Sequence, residues 1–327
     1  MPAGSSWKSR GLLLVSSLLV TVVLVEILLR LAGTGMPPPP LYPGDREAVR
    51  DRTWDAHVGW KLPPNANPGE TTADYSITYR SNRLGFRGDD DALGSPATER
   101  IVFLGDSFTF GSGVPIEDTF AARVAAERPN AVGFNLGIGG FGIDQMWLTL
   151  AHHGLALEPT RVVLSFIRND LDRSLSAYRL GHVWLEKPLF FLEGGKLVQM
   201  TVDNRPGPVA SWIRQDTKWA GLFRRVEHSV SRNFAFGPRW HLNRALFEAV
   251  RDTCLAASVP LLVVHLPVNR RHEAPMLARE FESMEIPFLD LTSALPVDAD
   301  SLYFPNDHHF NAAGHEFAAG AILAAIE

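Results

Sequence analysis

The chain has 327 residues, of which 20% are charged and 46% belong to the hydrophobic set, and its formal net charge is −5. This composition is typical of a globular protein with an apolar core, and without a basic stripe it gives no electrostatic case for nucleic-acid binding. The single cysteine, Cys254, excludes an intrachain disulfide bond and a cysteine-based zinc site. Its apolar, helix-like surroundings predict a buried structural thiol.

The N-terminal segment is predicted to be a membrane anchor. Two basic residues precede an apolar run over residues 11–33, which only Glu26 and Arg30 interrupt. These two side chains are four residues apart, so they can pair on one face of a helix. A helix of about 22 residues is about 33 Å long, which is enough for a bilayer core. We therefore expect a cytoplasmic tail (1–10), a transmembrane helix and a large domain outside the cytoplasm. A cleaved signal peptide is the alternative, but no small-x-small cleavage site follows the run.

Two short regions precede the main domain. Residues 34–52 contain "MPPPPLYPGD", which predicts a polyproline II linker. Residues 53–98 contain the alternating stretch "DYSITYRSN" and the turn-rich stretch "RLGFRGDDDALGSP". This pattern predicts a small N-terminal extension of strands and turns.

From residue 99 to the end, short apolar strands alternate with helices, which predicts a parallel sheet with helices on both faces. Strands are expected at residues 100–105, 131–137, 161–167, 260–267 and 287–291. Helices are expected at residues 119–127, 144–155, 244–259 and 312–327. The alternation breaks over residues 171–240, which we interpret as an insertion or lid containing a hairpin that turns at Gly194 and Gly195.

Ligands of an open parallel sheet bind outside the carboxyl ends of its strands. The strand ends here are followed by "GDSFTFGSG", "NLGIGGFG", "RND" and, near the C-terminus, "FPNDHHFN". Acyl transfer by a serine needs a nucleophile, a base, an orienting acid and donors for an oxyanion. Ser107, the glycine loop 137–142, Asn169 and a C-terminal histidine are candidates for these tasks. Ser107 as a helix N-cap and Asn169 as a cap or turn residue are the structural alternatives.

These four blocks, in this order, resemble those of the SGNH (GDSL) hydrolase superfamily. The stretch "ITYRSNRLGFRG" after an N-terminal helix is similar to the membrane-anchored bacterial branch of that superfamily. The resemblance implies that Ser107 is the nucleophile and His309 the general base. It implies an oxyanion hole made by the Ser107 amide, the Gly140 amide and the Asn169 side chain.

Other residues of the same blocks are assigned supporting roles by the resemblance. Asp106 is expected to brace the nucleophile loop, and Asp170 to orient Asn169 or the strand end. Gly139 and Gly142 stay open as alternatives to Gly140.

The orienting acid departs from the common pattern of the superfamily. The usual aspartate lies three residues before the histidine, and Asn306 occupies that position here. A related version has the aspartate two residues before, and "DHHFN" fits it with Asp307 and His309. If His308 were the base, Asp307 would be its direct neighbour, and adjacent side chains of an extended segment point apart. His308 is therefore expected to contact solvent or substrate, while Asn306 stays open as a weaker orienter of the imidazole.

Two other kinds of site are less well supported. The glycines 137, 139 and 142 spell G-x-G-x-x-G, but the acid that follows, Glu158, precedes the next strand instead of ending it. A metal site of Asp307, His308, His309 and His315 is disfavoured, because a spacing of six residues does not place two histidines on one helix face. His315 is expected to pack or cap a helix, and the pair 152–153 to lie on a helix surface.

The sequence thus predicts a three-layer α/β/α, flavodoxin-like SGNH hydrolase domain over residues 99–327. We expect a single-pass membrane protein with an extracytoplasmic serine esterase domain that hydrolyses short-chain, especially acetyl, esters. The expected partners are an acylated small molecule or polysaccharide and the membrane, without nucleic acid, metal or organic cofactor. An O-acyltransferase acting on envelope polysaccharide and an inactive carbohydrate-binding module are the alternatives.

Overall fold

The computed structural model describes five stretches of the chain: residues 7–31, 53–175, 187–199, 238–268 and 274–327. The strands are β1 (Thr53–Asp55), β2 (Gly59–Lys61), β3 (Gly69–Thr71), β4 (Ser76–Thr78), β5 (Glu99–Leu104), β6 (Ala131–Asn135), β7 (Arg161–Phe166), β8 (Phe190–Glu193), β9 (Lys196–Gln199), β10 (Leu261–His265) and β11 (Phe288–Asp290). The α-helices are α1 (Trp7–Leu31), α2 (Asp90–Leu93), α3 (Ser107–Phe110), α4 (Phe120–Ala126), α5 (Ile143–Thr149), α6 (Arg168–Arg173), α7 (Pro238–Ala256), α8 (Ala274–Ser283) and α9 (Ala312–Ile326).

Five strands form one parallel sheet with the spatial order β11-β10-β7-β5-β6. Numbered along the chain, this order is 5-4-3-1-2, which is the flavodoxin-like order. The predicted five-stranded parallel sheet is therefore confirmed. The strand order reverses between β5 and β7, and ligands of such sheets bind at this switch point. Ser107 follows β5 and Asn169 follows β7, so the two candidate residues come from the strands on either side of it.

The sheet is covered on both faces, which makes the three predicted layers. Alternate residues of the buried strands point to opposite faces. Val102 and Leu104 join one buried cluster with residues of α5, α7 and α8. Ile101 and Phe103 join a second cluster with residues of α4 and α9. The central strands are apolar on both faces because each face is buried against helices.

Among the helices of ten or more residues in the main domain, two differ from the sequence prediction. Helix α7 begins six residues before the predicted start at residue 244. Helix α8 was not predicted. Its apolar residues Leu277 and Phe281, with Met284 just after its end, are four and then three residues apart, so they share one buried face. This apolar stripe is short and lies among charged residues, which hides its period in the sequence.

The N-terminal extension packs against the main domain. It contains the antiparallel pairs β1–β2 and β3–β4 and the short helix α2. Its buried residues Val58, Trp60, Tyr79 and Phe86 belong to the same apolar cluster as the sheet. Burial of each large side chain contributes about 1.5–3 kcal/mol, so this contact fixes the extension on the domain.

The N-terminal apolar segment forms α1, a helix of 25 residues. Among the residues that the structure describes, no helix combines the length and apolarity that a membrane span requires. The transmembrane anchor over residues 11–33 stays a prediction from the sequence. The predicted linker over 34–52 lies outside the described residues.

Only parts of the predicted insertion over 171–240 are described. The hairpin β8–β9 pairs antiparallel and, as predicted, turns at Gly194 and Gly195, which both have positive φ. The remainder of the predicted insertion, over residues 176–186 and 200–237, lies outside the described part of the chain.

Candidate active site

Ser107 is the first residue of α3, directly after the buried strand β5. Gly105 makes this sharp turn possible, because a Cβ there would lie 1.9 Å from Thr109 Oγ1 and 2.7 Å from the Ser165 carbonyl oxygen. Asp106 caps the helix, since its carboxylate accepts a hydrogen bond of 2.9 Å from the Phe108 amide. The N-cap is thus Asp106. Its Oδ2 also lies 3.4 Å from Ser107 Oγ, a long contact that leaves the hydroxyl able to form a shorter bond with another partner.

His309 is that partner. Its Nε2 lies 2.7 Å from Ser107 Oγ, within hydrogen-bond distance. The ring packs on Phe108, with the two ring centroids 5.0 Å apart. The structure therefore brings together the predicted nucleophile and base, which are 202 residues apart in the chain.

A closed turn holds His309 in this position. The amide of Phe304 donates to the His309 carbonyl (2.9 Å), and the amide of His308 donates to the Phe304 carbonyl (3.0 Å). His308 closes the turn with a left-handed backbone, φ +64°. The segment is therefore not extended, contrary to the sequence expectation. His308 is exposed, whereas His309 reaches Ser107.

Asp307 lies on the far side of the imidazole. Its Oδ1 is 3.0 Å from His309 Nδ1, although the approach is bent away from the straight line of a strong hydrogen bond. The other oxygen, Oδ2, accepts a hydrogen bond of 2.5 Å from the hydroxyl of Tyr75. The contact with His309 lowers the pKa of Asp307. Burial opposes this effect, and the hydrogen bond from the Tyr75 hydroxyl adds to it, so that the pKa lies below its ordinary value. The carboxylate is therefore ionised at neutral pH and can stabilise a charged imidazole.

Asn306, the alternative orienter, is bonded elsewhere. Its side-chain amide donates to Asp74 Oδ1 (2.7 Å), and its backbone amide donates to Asp74 Oδ2 (2.9 Å). The geometry favours Asp307 over Asn306 as the group facing the imidazole.

Gly140 is at the third position of the turn Ile138–Phe141, which the hydrogen bond from the Phe141 amide to the Ile138 carbonyl closes (3.2 Å). Its φ of +84° fits a type II turn, which favours glycine at this position. The amide of the alternative Gly142 is already bonded to Gln145 Oε1 (3.3 Å). Within the described part of the chain, the Gly140 amide has no hydrogen-bond partner. The geometry therefore favours Gly140 over Gly142 as a donor.

The other two candidate donors are the Ser107 amide and the Asn169 side chain. Neither has a hydrogen-bond partner among the described residues. Asn169 is exposed in the first turn of α6. Both groups are therefore available to a substrate, and their roles in an oxyanion hole stay predictions.

Arg173 links the loops after β5 and β7, a contact that the sequence analysis missed. Its Nη1 donates to Asp106 Oδ2 (2.9 Å) and to Asp170 Oδ1. Both carboxylates are fully buried. Asp170 Oδ2 also accepts from the Ile167 amide (2.9 Å), so it holds the end of β7 as expected. Burial and then the charge of Asp106 raise the pKa of Asp170 well above its ordinary value.

A second missed residue, Arg87 of the extension, holds the other end of α3. Its side chain is 3% exposed, and it donates to the carbonyls of Phe110 (2.5 Å), Gly111 (2.6 Å) and Val114. Burial lowers its pKa to about 10, so the guanidinium stays charged at neutral pH. Arg87 lies in the "RLGFRG" stretch, which is part of the resemblance to the superfamily. That resemblance was the signal in the sequence that could have indicated a role for Arg87.

The remaining candidates lie away from Ser107. His315 is buried and its Nδ1 accepts from the Phe120 amide (3.2 Å); burial lowers its pKa to about 3, which keeps it neutral. The sequence predicts that His153 lies on a helix surface. Instead, it packs edge-on against Phe86 and lies 3.4 Å from Asp55, so it is not a free surface residue.

Two further predictions concern Cys254 and metal binding. Cys254 is buried as predicted, and burial raises the pKa of its thiol to about 12. In the described part of the chain, no group of three or more metal-binding side chains is arranged to hold an ion.

Comparisons with known proteins found similar solved structures. No family model and no curated protein matches the chain. A lipase/acylhydrolase from Enterococcus faecalis is 17% identical, and the match covers 70% of this chain and 95% of that chain with a TM-score of 0.40. A GDSL-like lipase from Bacteroides thetaiotaomicron is 15% identical over 72% and 93% of the two chains, with a TM-score of 0.41. A catalytic mutant of an acetylxylan esterase from Geobacillus stearothermophilus is 15% identical over 70% and 94%, with a TM-score of 0.41. At these identities and scores, the activity of this chain has to be argued from its own site.

Proposed function

We propose that the protein is a serine hydrolase of the SGNH type that cleaves acyl esters. The observation that carries this proposal is the distance of 2.7 Å between His309 Nε2 and Ser107 Oγ, with ionised Asp307 on the opposite nitrogen. A serine hydroxyl is a weak nucleophile until an adjacent base removes its proton. Here the base lies within the distance that proton transfer requires.

Acylation begins when Ser107 Oγ attacks the ester carbonyl and His309 Nε2 takes the hydroxyl proton. Asp307 stabilises the resulting imidazolium, and the carbonyl oxygen becomes an oxyanion. The amides of Ser107 and Gly140 and the side chain of Asn169 donate hydrogen bonds to this oxyanion. His309 then gives its proton to the leaving alcohol as the bond between carbonyl carbon and alkoxy oxygen breaks, which leaves an acyl group on Ser107.

Deacylation repeats these steps with water. His309 takes a proton from water as the oxygen attacks the acyl carbon, and it returns the proton to Ser107 Oγ when the bond to the serine breaks. The products are a carboxylic acid and free enzyme.

The substrate proposed from the sequence resemblance is a short acyl ester, such as an acetyl group on a carbohydrate. The acetylxylan esterase named above acts, by its name, on a substrate of this class. The extracytoplasmic location of the domain likewise stays a proposal from the sequence.

Hydrolysis of a chromogenic acetyl ester by the purified full chain tests the function. We expect turnover by the wild type and a loss of at least about 10³-fold in Ser107→Ala. Equal rates for the two proteins would contradict the proposal. The same assay with a sugar acceptor distinguishes hydrolysis from transfer, because an O-acyltransferase would release the alcohol faster and form an acylated sugar.

A further inference from the structure

We infer that Asp74 and Tyr75, in the turn between β3 and β4, are positioning residues that set the orientation of Asp307 and thereby of His309. This inference rests on the proposed function of the same site. It assigns part of the catalytic arrangement to the N-terminal extension, 232 residues before the acid that it holds.

Tyr75 fixes the carboxylate of Asp307. Its hydroxyl donates to Asp307 Oδ2 (2.5 Å), so the carboxylate keeps Oδ1 towards the imidazole. Burial and then the hydrogen bond to Asp307 raise the pKa of Tyr75, so the phenol stays protonated and acts as a donor. A carboxylate fixed through Oδ2 keeps Oδ1 in one position beside the imidazole, which is what a tautomer-fixing acid needs.

Asp74 fixes the backbone that carries Asp307. Its carboxylate accepts from the amide of Asp307 (2.7 Å) and from the backbone and side-chain amides of Asn306 (2.9 and 2.7 Å). Burial alone would raise the pKa of Asp74, but these three hydrogen bonds lower it. The ionised carboxylate therefore holds the start of the left-handed turn at His308.

The turn between β3 and β4 is itself built to present these two side chains. Thr72 closes it, because its hydroxyl accepts from the amides of Asp74 (3.1 Å) and Tyr75 (3.3 Å), and its own amide donates to the Tyr75 carbonyl (2.9 Å). The Tyr75 ring packs against Phe304, with centroids 5.0 Å apart, at the base of the histidine turn. Gly113 allows this close contact, since a Cβ there would lie 2.5 Å from Phe304 and 2.7 Å from Tyr75.

This arrangement explains how an acid two residues before the histidine can face its ring. Asp307 and His309 flank a residue with φ +64°, a backbone conformation that costs about 1 kcal/mol for a side chain other than glycine. Only surrounding contacts can maintain such a turn in one geometry. The contacts from Asp74 and Tyr75 supply that constraint from outside the turn.

Steady-state kinetics of Tyr75→Phe, Asp74→Ala and Asp74→Asn in the full chain test the inference. We expect Tyr75→Phe to lower kcat about tenfold and to leave KM nearly unchanged, because misorientation affects the chemical step more than binding. Asp74→Ala should lower kcat at least as much. Asp74→Asn should keep more activity than Asp74→Ala, because its carbonyl oxygen still accepts hydrogen bonds.

Tyr79→Phe is the matched control. The Tyr79 hydroxyl also ties the extension to the domain, since it accepts from the Gly113 amide (2.9 Å) and donates to Glu70 (2.6 Å), but it does not touch Asp307. Its loss should lower the melting temperature and leave kcat unchanged. An active wild type with full kcat in both Tyr75→Phe and Asp74→Ala would overturn the inference.

A wild type that hydrolyses no ester would contradict the proposed function, and a second measurement then decides the positioning claim alone. With Nε2 accepting from Ser107, the neutral imidazole carries its proton on Nδ1, 3.0 Å from Asp307 Oδ1, and this proton can be followed by proton NMR. Its resonance should move in Tyr75→Phe and Asp74→Ala and stay in place in Tyr79→Phe. An unchanged resonance in all three variants would overturn the inference irrespective of activity.

Discussion

The serine side of the site is built into the sheet, whereas the histidine side lies on a turn near the surface. Ser107 follows a fully buried strand, and the carboxylate of its neighbour Asp106 is buried in an ion pair with Arg173. The side chains of Asp307 and His309 are 21% and 23% exposed, and their turn is held by hydrogen bonds from the extension. Breaking contacts on the first side should therefore cost stability, while breaking them on the second should cost rate.

The largest effect is expected on the histidine side. His309→Ala removes the base and should lower kcat by about 10⁴-fold or more, without much change in the melting temperature. His308→Ala is the matched variant one residue away, and it should keep most of the activity because His308 does not contact Ser107. The rate of ester hydrolysis, measured in parallel for the wild type and the two variants, shows which histidine is the base. The reverse ranking of the two variants would assign the base to His308.

Arg173→Met tests the serine side. It leaves the buried carboxylates of Asp106 and Asp170 without their shared cation, and the loss of one partner of a buried pair typically costs about 3–5 kcal/mol. We expect a value at the lower end, about 3 kcal/mol, because the arginine side chain is 27% exposed. Urea unfolding measures the change. A variant as stable as the wild type would show that this ion pair does not fix the two loops.

Asn169→Ala separates catalysis from stability within the serine side. The side chain is exposed, so its removal should leave the unfolding free energy unchanged. If it donates to the oxyanion, kcat should fall about 10²-fold, equivalent to about 2.7 kcal/mol of transition-state stabilisation. A folded variant with the kcat of the wild type would show that Asn169 does not donate to the oxyanion.

The pH dependence of stability gives the smallest effect. Asp170 has a raised pKa, so the folded protein holds a proton that the unfolded chain releases at lower pH. Between the ordinary carboxyl value of about 4 and the raised pKa, this group makes the unfolding free energy fall as pH rises. Asp170→Asn removes the titration, so the stability of the wild type relative to the variant should decrease with rising pH. A difference that is constant from pH 4 to 8 would contradict the raised pKa.

The sequence was enough to predict where the strands end and which residues follow them. The strand ends could be located because apolar runs stop at Gly105, Leu136 and Ile167, and a sheet of known order brings such ends together. Ser107 and His309 could then be named from their blocks.

The contacts that hold these residues could not be read from the sequence in the same way. Arg173 meets Asp106 across 67 residues, and Tyr75 meets Asp307 across 232. No local spacing encodes such pairs, because they depend on how two separate loops dock. The left-handed backbone at His308 was also missed, since a non-glycine residue gives little signal for that conformation.

Labelling with a fluorophosphonate, followed by peptide mass spectrometry, tests the central claim most directly. The reagent traps a serine whose hydroxyl is activated by a neighbouring base. The account predicts one modified residue, Ser107, with labelling abolished in Ser107→Ala and strongly slowed in His309→Ala but not in His308→Ala. An unlabelled Ser107 in folded wild-type protein, or a label that persists in Ser107→Ala, would contradict it.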